Sequence, residues 1–291
     1  MGKITKKILN GKISYLDTEK YISLDIDKGI LWEQDIYHLA LRFAIYNSRV
    51  ILDIGAHIGS FTILSKYYLT EWIPTKPNKD CKIICFEPQK KMYELLKENI
   101  KQNNFENVIT YNSAVGDTNS EVCLSDKIQD NESGLEETYN YDNGKKYNFG
   151  GVQIGKGVNS VEMITIDSLN LDCCDLIKLD VESFEFFSIC GAEETIRKFR
   201  PVIFYEDFRS EDKKPTDYML SIVSERSRRK YYENRGDIIS LLESFGYNRF
   251  ECWGANWIAK FDMFSGKTTI LNDWPVIPWD ENIARAKKMN K

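Results

Sequence analysis

The chain turns from an apolar run into two glycines at Ile51-Leu52-Asp53-Ile54-Gly55-Ala56-His57-Ile58-Gly59. Val50 to Ile54 has the length and composition of a buried strand, and helical spacing of apolar residues resumes from Phe61 to Leu69. The stretch therefore predicts a strand, a tight turn and a helix. Small residues in such a turn let the backbone approach a ligand at the carboxyl edge of a parallel sheet.

The glycine spacing separates this turn from two common nucleotide-binding loops. A dinucleotide-binding turn needs a third glycine after a shorter gap, and a phosphate-binding loop ends in Gly-Lys-Ser or Gly-Lys-Thr. Neither pattern follows Gly55. NAD and ATP are therefore poor candidates for the ligand, although a glycine pair alone also occurs where it serves only packing.

The alternation of strand and helix continues on both sides of the turn. A helical pattern covers residues 31–47. Further predicted elements are strands at 82–86, 108–114, 161–166, 176–179 and 202–205, and helices at 90–103, 184–198 and 237–244. Strands 247–252 and 257–261 are joined by a short turn, so they must be antiparallel. These features predict an α/β fold with a mostly parallel sheet covered on both faces.

The length fits a single domain over residues 1–291. Residues 1–48 form a predicted lead-in region with a helix, residues 50–262 the core, and residues 263–291 a C-terminal extension. The regular pattern fails over residues 125–157, which are rich in Asp, Asn, Glu, Gly and Tyr. A long insertion of this kind is often functional, and a solvated surface excursion is the equal alternative.

Composition narrows the classes of partner. The formal net charge of −5 gives no electrostatic reason for tight binding to nucleic acid. No stretch approaches the roughly 20 apolar residues of a membrane span, and the first ten residues lack a secretory core. The seven cysteines are irregularly spaced, which favours reduced structural thiols over a zinc site. We expect a cytoplasmic protein without a membrane partner.

The strand after the glycine turn ends in an acidic residue, in Cys85-Phe86-Glu87-Pro88. A carboxylate at that edge can accept both hydroxyls of a ribose. Ser113 and Ala114 lie at the end of the next predicted strand, where small residues can border an adenine. A surface carboxylate is the alternative for Glu87, but the three features in this order favour a ligand that contains a nucleoside.

Further motifs extend this pattern over residues 29–260. They are Gly29-Ile30-Leu31-Trp32-Glu33, Asp53–Thr62, Phe86-Glu87-Pro88, Ser113-Ala114-Val115-Gly116, Ile177–Glu185, Arg200–Glu206, and Gly246-Tyr247 with Asn256. In this order they resemble the FkbM-type methyltransferases, which use S-adenosylmethionine. That resemblance implies the class I methyltransferase fold, a Rossmann-like, seven-stranded, mostly parallel sheet with a final antiparallel strand. The family usually has glycine where this chain has Ser183.

The resemblance implies a set of cofactor-binding residues. Asp53, Gly55, Ala56 and Gly59 would line the methionine part of S-adenosylmethionine. Glu87 would hold its ribose, and Ser113 with Ala114 would border its adenine. His57 stands where the family often has asparagine, which implies a hydrogen-bonding residue rather than a catalytic base. The full set is Glu33, Asp53, Gly55, Ala56, His57, Gly59, Glu87, Pro88, Ser113, Ala114 and Asp180.

Carboxylates at neighbouring strand ends supply the predicted catalytic chemistry. Asp180, Glu182 and Glu206 are the predicted catalytic residues, with Glu182 and Glu206 ahead of Glu185 as the base. Asp180, Glu206 and Asp207 could bind Mg²⁺ or Mn²⁺, which would acidify an acceptor hydroxyl. The alternative is that these carboxylates hold the cofactor amine or the acceptor without a metal.

The resemblance implies methyl transfer to a hydroxyl of a sugar, a glycan or a related small molecule. A nucleic-acid 2′-O-methyltransferase is one alternative, but it would use a basic groove, which the acidic balance disfavours. A non-catalytic nucleoside-binding module is another, but it would not need carboxylates at the strand ends. Residues 125–157 and the charged segment after Asp207 are expected to shape the acceptor site rather than the cofactor site.

Overall fold

A computed structural model describes residues 2–44, 48–72, 78–129, 136–141, 143–207, 214–262 and 269–271. The chain opens with an antiparallel hairpin followed by two helices, and this hairpin is absent from the predicted elements although Asn10-Gly11 between alternating apolar residues is typical of such a turn. These elements are β1 (Lys3–Ile8), β2 (Gly11–Leu16), α1 (Ile22–Asp27) and α2 (Gln34–Ala44). The helix predicted over residues 31–47 corresponds to α2, and residues 45–47 lie outside the described residues.

Alternating strands and helices then build the first half of the core. They are β3 (Val50–Ile54), α3 (Ser60–Tyr67), β4 (Lys82–Phe86), α4 (Lys90–Gln102) and β5 (Val108–Tyr111). Every residue of β3 is buried, as is expected of a central parallel strand with helices on both faces. The strand, turn and helix predicted around Gly55 are confirmed.

Five short strands follow β5. They are β6 (Ala114–Val115), β7 (Ser120–Leu124), β8 (Lys127–Gln129), β9 (Glu136–Thr138) and β10 (Asn159–Ile164). β6, β10 and β7 form a small separate sheet, and β8 pairs with β9. The strand predicted over 108–114 is divided because the side chain of Asn112 turns to the carbonyls of Glu87 and Pro88. Residues 130–135 and 142 of the predicted insertion lie outside the described residues.

The second half of the core returns to the central sheet. Its elements are β11 (Leu176–Leu179), α5 (Glu185–Cys190), α6 (Glu193–Phe199), β12 (Val202–Glu206), α7 (Asp217–Ile222), α8 (Glu225–Glu233), α9 (Ile238–Ser244), β13 (Arg249–Trp253), β14 (Asn256–Lys260) and β15 (Thr269–Leu271). The single helix predicted over 184–198 is two helices, divided at Gly191. A Cβ at Gly191 would lie 1.8 Å from the carbonyl oxygen of Gly116, so only glycine permits this backbone contact.

The central sheet has eight strands in the order β15-β13-β14-β12-β11-β3-β4-β5. The neighbours β12, β11, β3, β4 and β5 are parallel, and β14 runs antiparallel to both β12 and β13. The predicted mostly parallel α/β sheet is confirmed. The prediction of seven strands with a final antiparallel strand is wrong. β15 adds an eighth strand, parallel to β13, from the predicted extension 263–291. The rest of that extension lies outside the described residues.

The sheet topology positions the site. The chain runs outward from β3 through β4 to β5 and then returns to β11 on the other side of β3. Ligands of open α/β sheets bind at the carboxyl ends of the strands where the order reverses in this way. The site is therefore expected at the carboxyl ends of β3 and β11.

Two predictions from composition concern the cysteines and the membrane. All seven cysteines are free thiols. Five of them are buried, and burial makes these five poor nucleophiles. Among the described residues, no helix has both the length and the apolar character that crossing a membrane requires.

Candidate functional site

A cavity of about 950 Å³ opens at the carboxyl ends of β3, β4 and β11. Asp53 and Gly59 belong to the predicted cofactor set but lie outside the cavity lining. Asp53 is fully buried, and Gly59 precedes α3. The other predicted cofactor residues line the cavity, and they are Glu33, Gly55, Ala56, His57, Glu87, Pro88, Ser113, Ala114 and Asp180.

The glycine turn depends on close backbone approach. Gly55 has a φ of 78°, and a Cβ there would lie 1.8 Å from the carbonyl oxygen of Asp180. The backbone N–H groups of Gly55 and Ala56 both donate to the carbonyl of Phe86, at 3.0 and 2.9 Å. The turn is thereby held against β4 and β11, where any residue larger than glycine would clash.

A buried lysine joins β3 to β11. Lys178 is 2% exposed, and its Nζ donates to the carbonyl of Gly55 at 2.6 Å. The same Nζ lies 3.6 Å from Asp53 Oδ1 and 3.4 Å from Asp180 Oδ2. Burial lowers the pKa of Lys178, but the neighbouring carboxylates outweigh burial, so the net pKa is raised. Lys178 therefore stays charged and balances the two aspartates.

Lys178 is absent from the predicted site residues, although its position within an apolar strand indicates a buried charge. It is the one charged residue in the strand Leu176–Leu179, whose other residues are apolar and buried. Lys and other charged side chains are almost never fully buried without a partner. A lysine in the middle of a predicted central strand therefore indicates nearby carboxylates.

Glu87 is tied to the glycine turn by its side chain. Its Oε2 accepts the backbone N–H of His57 at 2.8 Å, and its Oε1 accepts that of Gln89 at 2.8 Å. Burial raises the pKa of Glu87 to about 7, although these two donors act in the opposite direction. Each carboxylate oxygen can accept a second hydrogen bond, so these contacts remain compatible with a ribose diol.

His57 is held as a neutral imidazole. Burial is the main cause that lowers its pKa to about 3, and the charge of Lys178 adds to it. Both ring nitrogens are buried without a hydrogen-bond partner in the protein, and the residue lines the cavity. A neutral imidazole offers one donor and one acceptor. His57 is thus suited to hydrogen-bond a ligand and poorly suited to take up a proton.

Glu33 enters the cavity from the segment before α2. Its carboxyl is hydrogen-bonded to the side chains of Tyr37 and Asn256. Burial, followed by the charge of Asp180, raises the pKa of Glu33 to about 7. At neutral pH this predicted cofactor residue is therefore close to its titration midpoint, so a cation would favour its ionised form.

Three carboxyl groups meet where β11 and β12 end. Ligand oxygens of Asp180, Glu182 and Glu206 lie within 4.8 Å of one another. Burial raises the pKa of Glu206 to about 10, and the charges of Asp180 and Glu182 add to the effect. Glu206 therefore holds a proton at neutral pH unless a cation neutralises the group.

This group differs from the predicted metal set of Asp180, Glu206 and Asp207. The structure brings Glu182 to Asp180 and Glu206, while Asp207 lines a neighbouring cavity and its backbone N–H donates to the carbonyl of Ala255. Successive residues of an extended chain point to opposite sides. Asp207 is not part of the group whose carboxyl oxygens lie within 4.8 Å of one another.

The predicted insertion reaches the cavity as well. Residues 150–156 line the cavity, and so do residues 216–218. Residues 208–213, which precede the latter, lie outside the described part of the chain. The hydroxyl of Tyr141 donates to Gln89 Oε1 at 3.0 Å, and Gln89 Nε2 donates to the carbonyl of Phe149 at 2.9 Å. These contacts place part of the insertion beside Glu87, a predicted cofactor residue, although the insertion was expected to shape the acceptor site.

The turn after β11 keeps a strained backbone. Glu182 has a φ of 53° and Ser183 a φ of 76°. Ser183 thus adopts a conformation that favours glycine. We expect Ser183→Gly to raise the free energy of unfolding by about 1 kcal/mol, measured by urea denaturation, because it relieves that strain. Ser183→Ala is the matched control, and equal stability of the two variants would contradict this account.

Comparisons with known proteins show one family match and several structural similarities. Residues 53–249 match the methyltransferase FkbM domain. A methyltransferase FkbM structure from Methylobacillus flagellatus KT is 16% identical, with a TM-score of 0.38, and the match covers 60% of this chain and 38% of that one. A SAM-dependent methyltransferase from Aquifex aeolicus is 13% identical, with a TM-score of 0.38 and coverage of 83% and 97%.

An O-methyltransferase from Bacillus cereus in complex with SAH is 15% identical, with a TM-score of 0.36 and coverage of 71% and 70%. A search of curated protein sequences gives no match. The family match spans the glycine turn, Glu87 and the three carboxyl groups, and it confirms the resemblance inferred from the motifs. This chain belongs to the methyltransferase FkbM family.

Proposed function

We propose that the protein transfers the methyl group of S-adenosylmethionine to a hydroxyl oxygen of a sugar or glycan. The observation that carries the proposal is the excess of partly buried carboxyl groups beside the glycine turn. Glu33, Asp180, Glu182 and Glu206 line the cavity with Lys178 as the buried cation among them. Such a cavity suits a ligand with an ammonium and a sulfonium group.

The residues present fit the cofactor. The ring nitrogens of His57 and the hydroxyl of Ser60 are buried polar atoms of the cavity wall that have no partner in the protein. They would hydrogen-bond the methionine end, Glu87 would hold the ribose, and Ala114 would border the adenine. When bound, the cofactor supplies an electrophilic methyl group.

The chain itself supplies alignment and proton transfer. Methyl transfer to a hydroxyl requires an in-line approach and removal of the hydroxyl proton. Glu182 and Glu206 lie close enough together to contact one acceptor oxygen, and they are the proposed bases. Because the pKa of Glu206 is about 10 in the free protein, it becomes a base only when bound positive charge lowers that pKa.

A methyl-transfer assay tests the proposed function. The protein is incubated with S-adenosylmethionine and a mixture of glycosides, and products are analysed by mass spectrometry. We expect S-adenosylhomocysteine together with a methylated glycoside. Methylation of an RNA oligonucleotide instead would favour the 2′-O-methyltransferase alternative, and cofactor binding without any turnover would favour the non-catalytic binding module.

We further propose that Asp180, Glu182 and Glu206 bind Mg²⁺ or Mn²⁺, since carboxylate oxygens are the ligands that these ions prefer. The ion would orient and acidify the acceptor hydroxyl. We expect EDTA to abolish activity and Mg²⁺ or Mn²⁺ to restore it. Glu182→Gln should raise the ion concentration needed for half-activation, whereas Asp207→Asn should not. Full activity in EDTA would contradict the proposal and leave Glu182 or Glu206 as a metal-free base.

A further inference from the structure

A second cavity of about 250 Å³ lies beside the first. Glu182, Glu206 and Lys214 line both cavities. The second volume corresponds to about eight water molecules at ~30 Å³ each, which accommodates one sugar ring but not a nucleotide. The proposed bases Glu182 and Glu206 can therefore be reached from the second cavity as well as from the first, where the cofactor is proposed to bind.

The lining of the second cavity favours an uncharged or cationic ligand. Besides the shared residues, it contains the carboxyl groups of Glu185, Asp207 and Asp237 and the guanidinium of Arg235. Carboxyl groups thus outnumber cationic groups, which disfavours a phosphate or a sugar acid. Carboxyl groups in either protonation state form hydrogen bonds with hydroxyls, and ionised ones also attract an ammonium group.

One aromatic ring forms part of the same wall. Tyr231 packs edge to face on Phe186 with a ring-centroid distance of 5.2 Å and an interplanar angle of 83°. A Cβ at Gly236 would lie 2.8 Å from the ring, so the following turn also fixes its position. A rigid ring with an apolar face and a polar hydroxyl suits the C–H face and the oxygens of a sugar.

Arg235 occupies an unusual backbone position at the rim of this cavity. After α8, the N–H of Gly236 donates to the carbonyl of Tyr231 at 2.7 Å, and that of Arg235 to Tyr232 at 3.1 Å. This pattern is a Schellman motif, in which the left-handed position is usually glycine. Here Arg235 holds that position with a φ of 55°. The helix end would be less strained with glycine, whereas arginine places a hydrogen-bond donor at the cavity.

We infer that the second cavity binds the acceptor as one uncharged or amino sugar ring, with Tyr231 against its face and Arg235 donating to its oxygens. One hydroxyl of that ring then meets Glu182 and Glu206 at the shared wall. The inference rests on the proposed function, because it assigns the acceptor to the compartment opposite the cofactor.

The test measures glycoside binding to the protein saturated with S-adenosylhomocysteine. Saturation-transfer NMR with methyl glycosides of a neutral hexose and a hexosamine should show binding, while the hexuronic acid and hexose phosphate analogues should show none. Arg235→Gly should weaken binding about tenfold or more, as expected for loss of a charged donor. The same variant should leave S-adenosylhomocysteine affinity unchanged and raise the thermal unfolding midpoint.

Matched variants separate binding from folding. Arg235→Lys keeps a charge and should lose less affinity than Arg235→Gly, and Tyr231→Phe keeps the ring and should lose less than Tyr231→Leu. Equal glycoside affinity in Arg235→Gly and wild type would overturn the inference, as would binding only of the phosphate or uronic acid analogue, or of no glycoside. Absence of S-adenosylhomocysteine binding would instead overturn the proposed function on which the inference rests.

Discussion

Lys178→Met is expected to lower the free energy of unfolding by about 3–5 kcal/mol, because it leaves the buried Asp53 carboxylate without its cation. Asp53 is fully buried, and Asp53 and Asp180 both lie within 4 Å of the Lys178 ammonium. Methionine keeps most of the aliphatic volume, so the loss reports on charge rather than on packing. Urea denaturation near neutral pH measures it.

Lys66→Met is the matched control for this prediction. Lys66 is 5% exposed, and its Nζ donates to the backbone carbonyls of Cys81 and Glu106. Its removal should cost less, since it leaves unpaired carbonyls rather than buried charges. The deficit of Lys178→Met should also shrink as the pH falls and Asp53, whose pKa is raised by burial, takes up a proton. Equal losses in the two variants, with no dependence on pH, would contradict the account.

Glu87→Ala is expected to weaken the binding of S-adenosylmethionine by about 2–4 kcal/mol, the contribution of a pair of hydrogen bonds to a charged group. The carboxylate also accepts the backbone N–H groups of His57 and Gln89, so alanine removes both the ribose acceptor and two contacts of the turn. Isothermal titration calorimetry measures the change.

Glu87→Gln helps to separate these two effects. Glutamine keeps the length and one acceptor oxygen of the side chain, so it should bind the cofactor with intermediate affinity. Thermal unfolding of both variants shows whether the turn itself has been disturbed. Wild-type affinity in a folded Glu87→Ala variant would remove Glu87 from the cofactor site.

Local chemistry made much of the fold predictable. The strand before Gly55, the glycine turn and the start of the next helix follow one another closely in the sequence. Each of them is determined by the residues next to it, so a local pattern is enough to predict it. β15 could not be predicted in the same way. It has only three residues, Thr269–Leu271, and exists because it pairs with β13, which local sequence does not encode.

The candidate site was predictable where sheet geometry decides it. The carboxyl ends of neighbouring parallel strands meet, so Asp180 and Glu206 were expected together and are. Asp207 was expected in the metal set because it lies at the end of β12 with Glu206, but its carboxyl is not among the three that meet within 4.8 Å. Glu182 was predicted as a catalytic residue but not as a metal ligand, and it reaches Asp180 and Glu206 through a left-handed turn at residues 182 and 183, where the chain has no glycine.

We expect the cavity lined by carboxyl groups to bind S-adenosylmethionine through the positive charge of that ligand. Titration calorimetry between about pH 6 and pH 8 tests it most directly, because Glu33 and Glu87 have pKa values of about 7 in the free protein. A cationic ligand that also donates hydrogen bonds lowers both pKa values, so binding should release protons. We expect one binding site per chain, with an affinity for S-adenosylmethionine that rises with pH over this range. No binding, or proton uptake with affinity that falls as the pH rises, would contradict it.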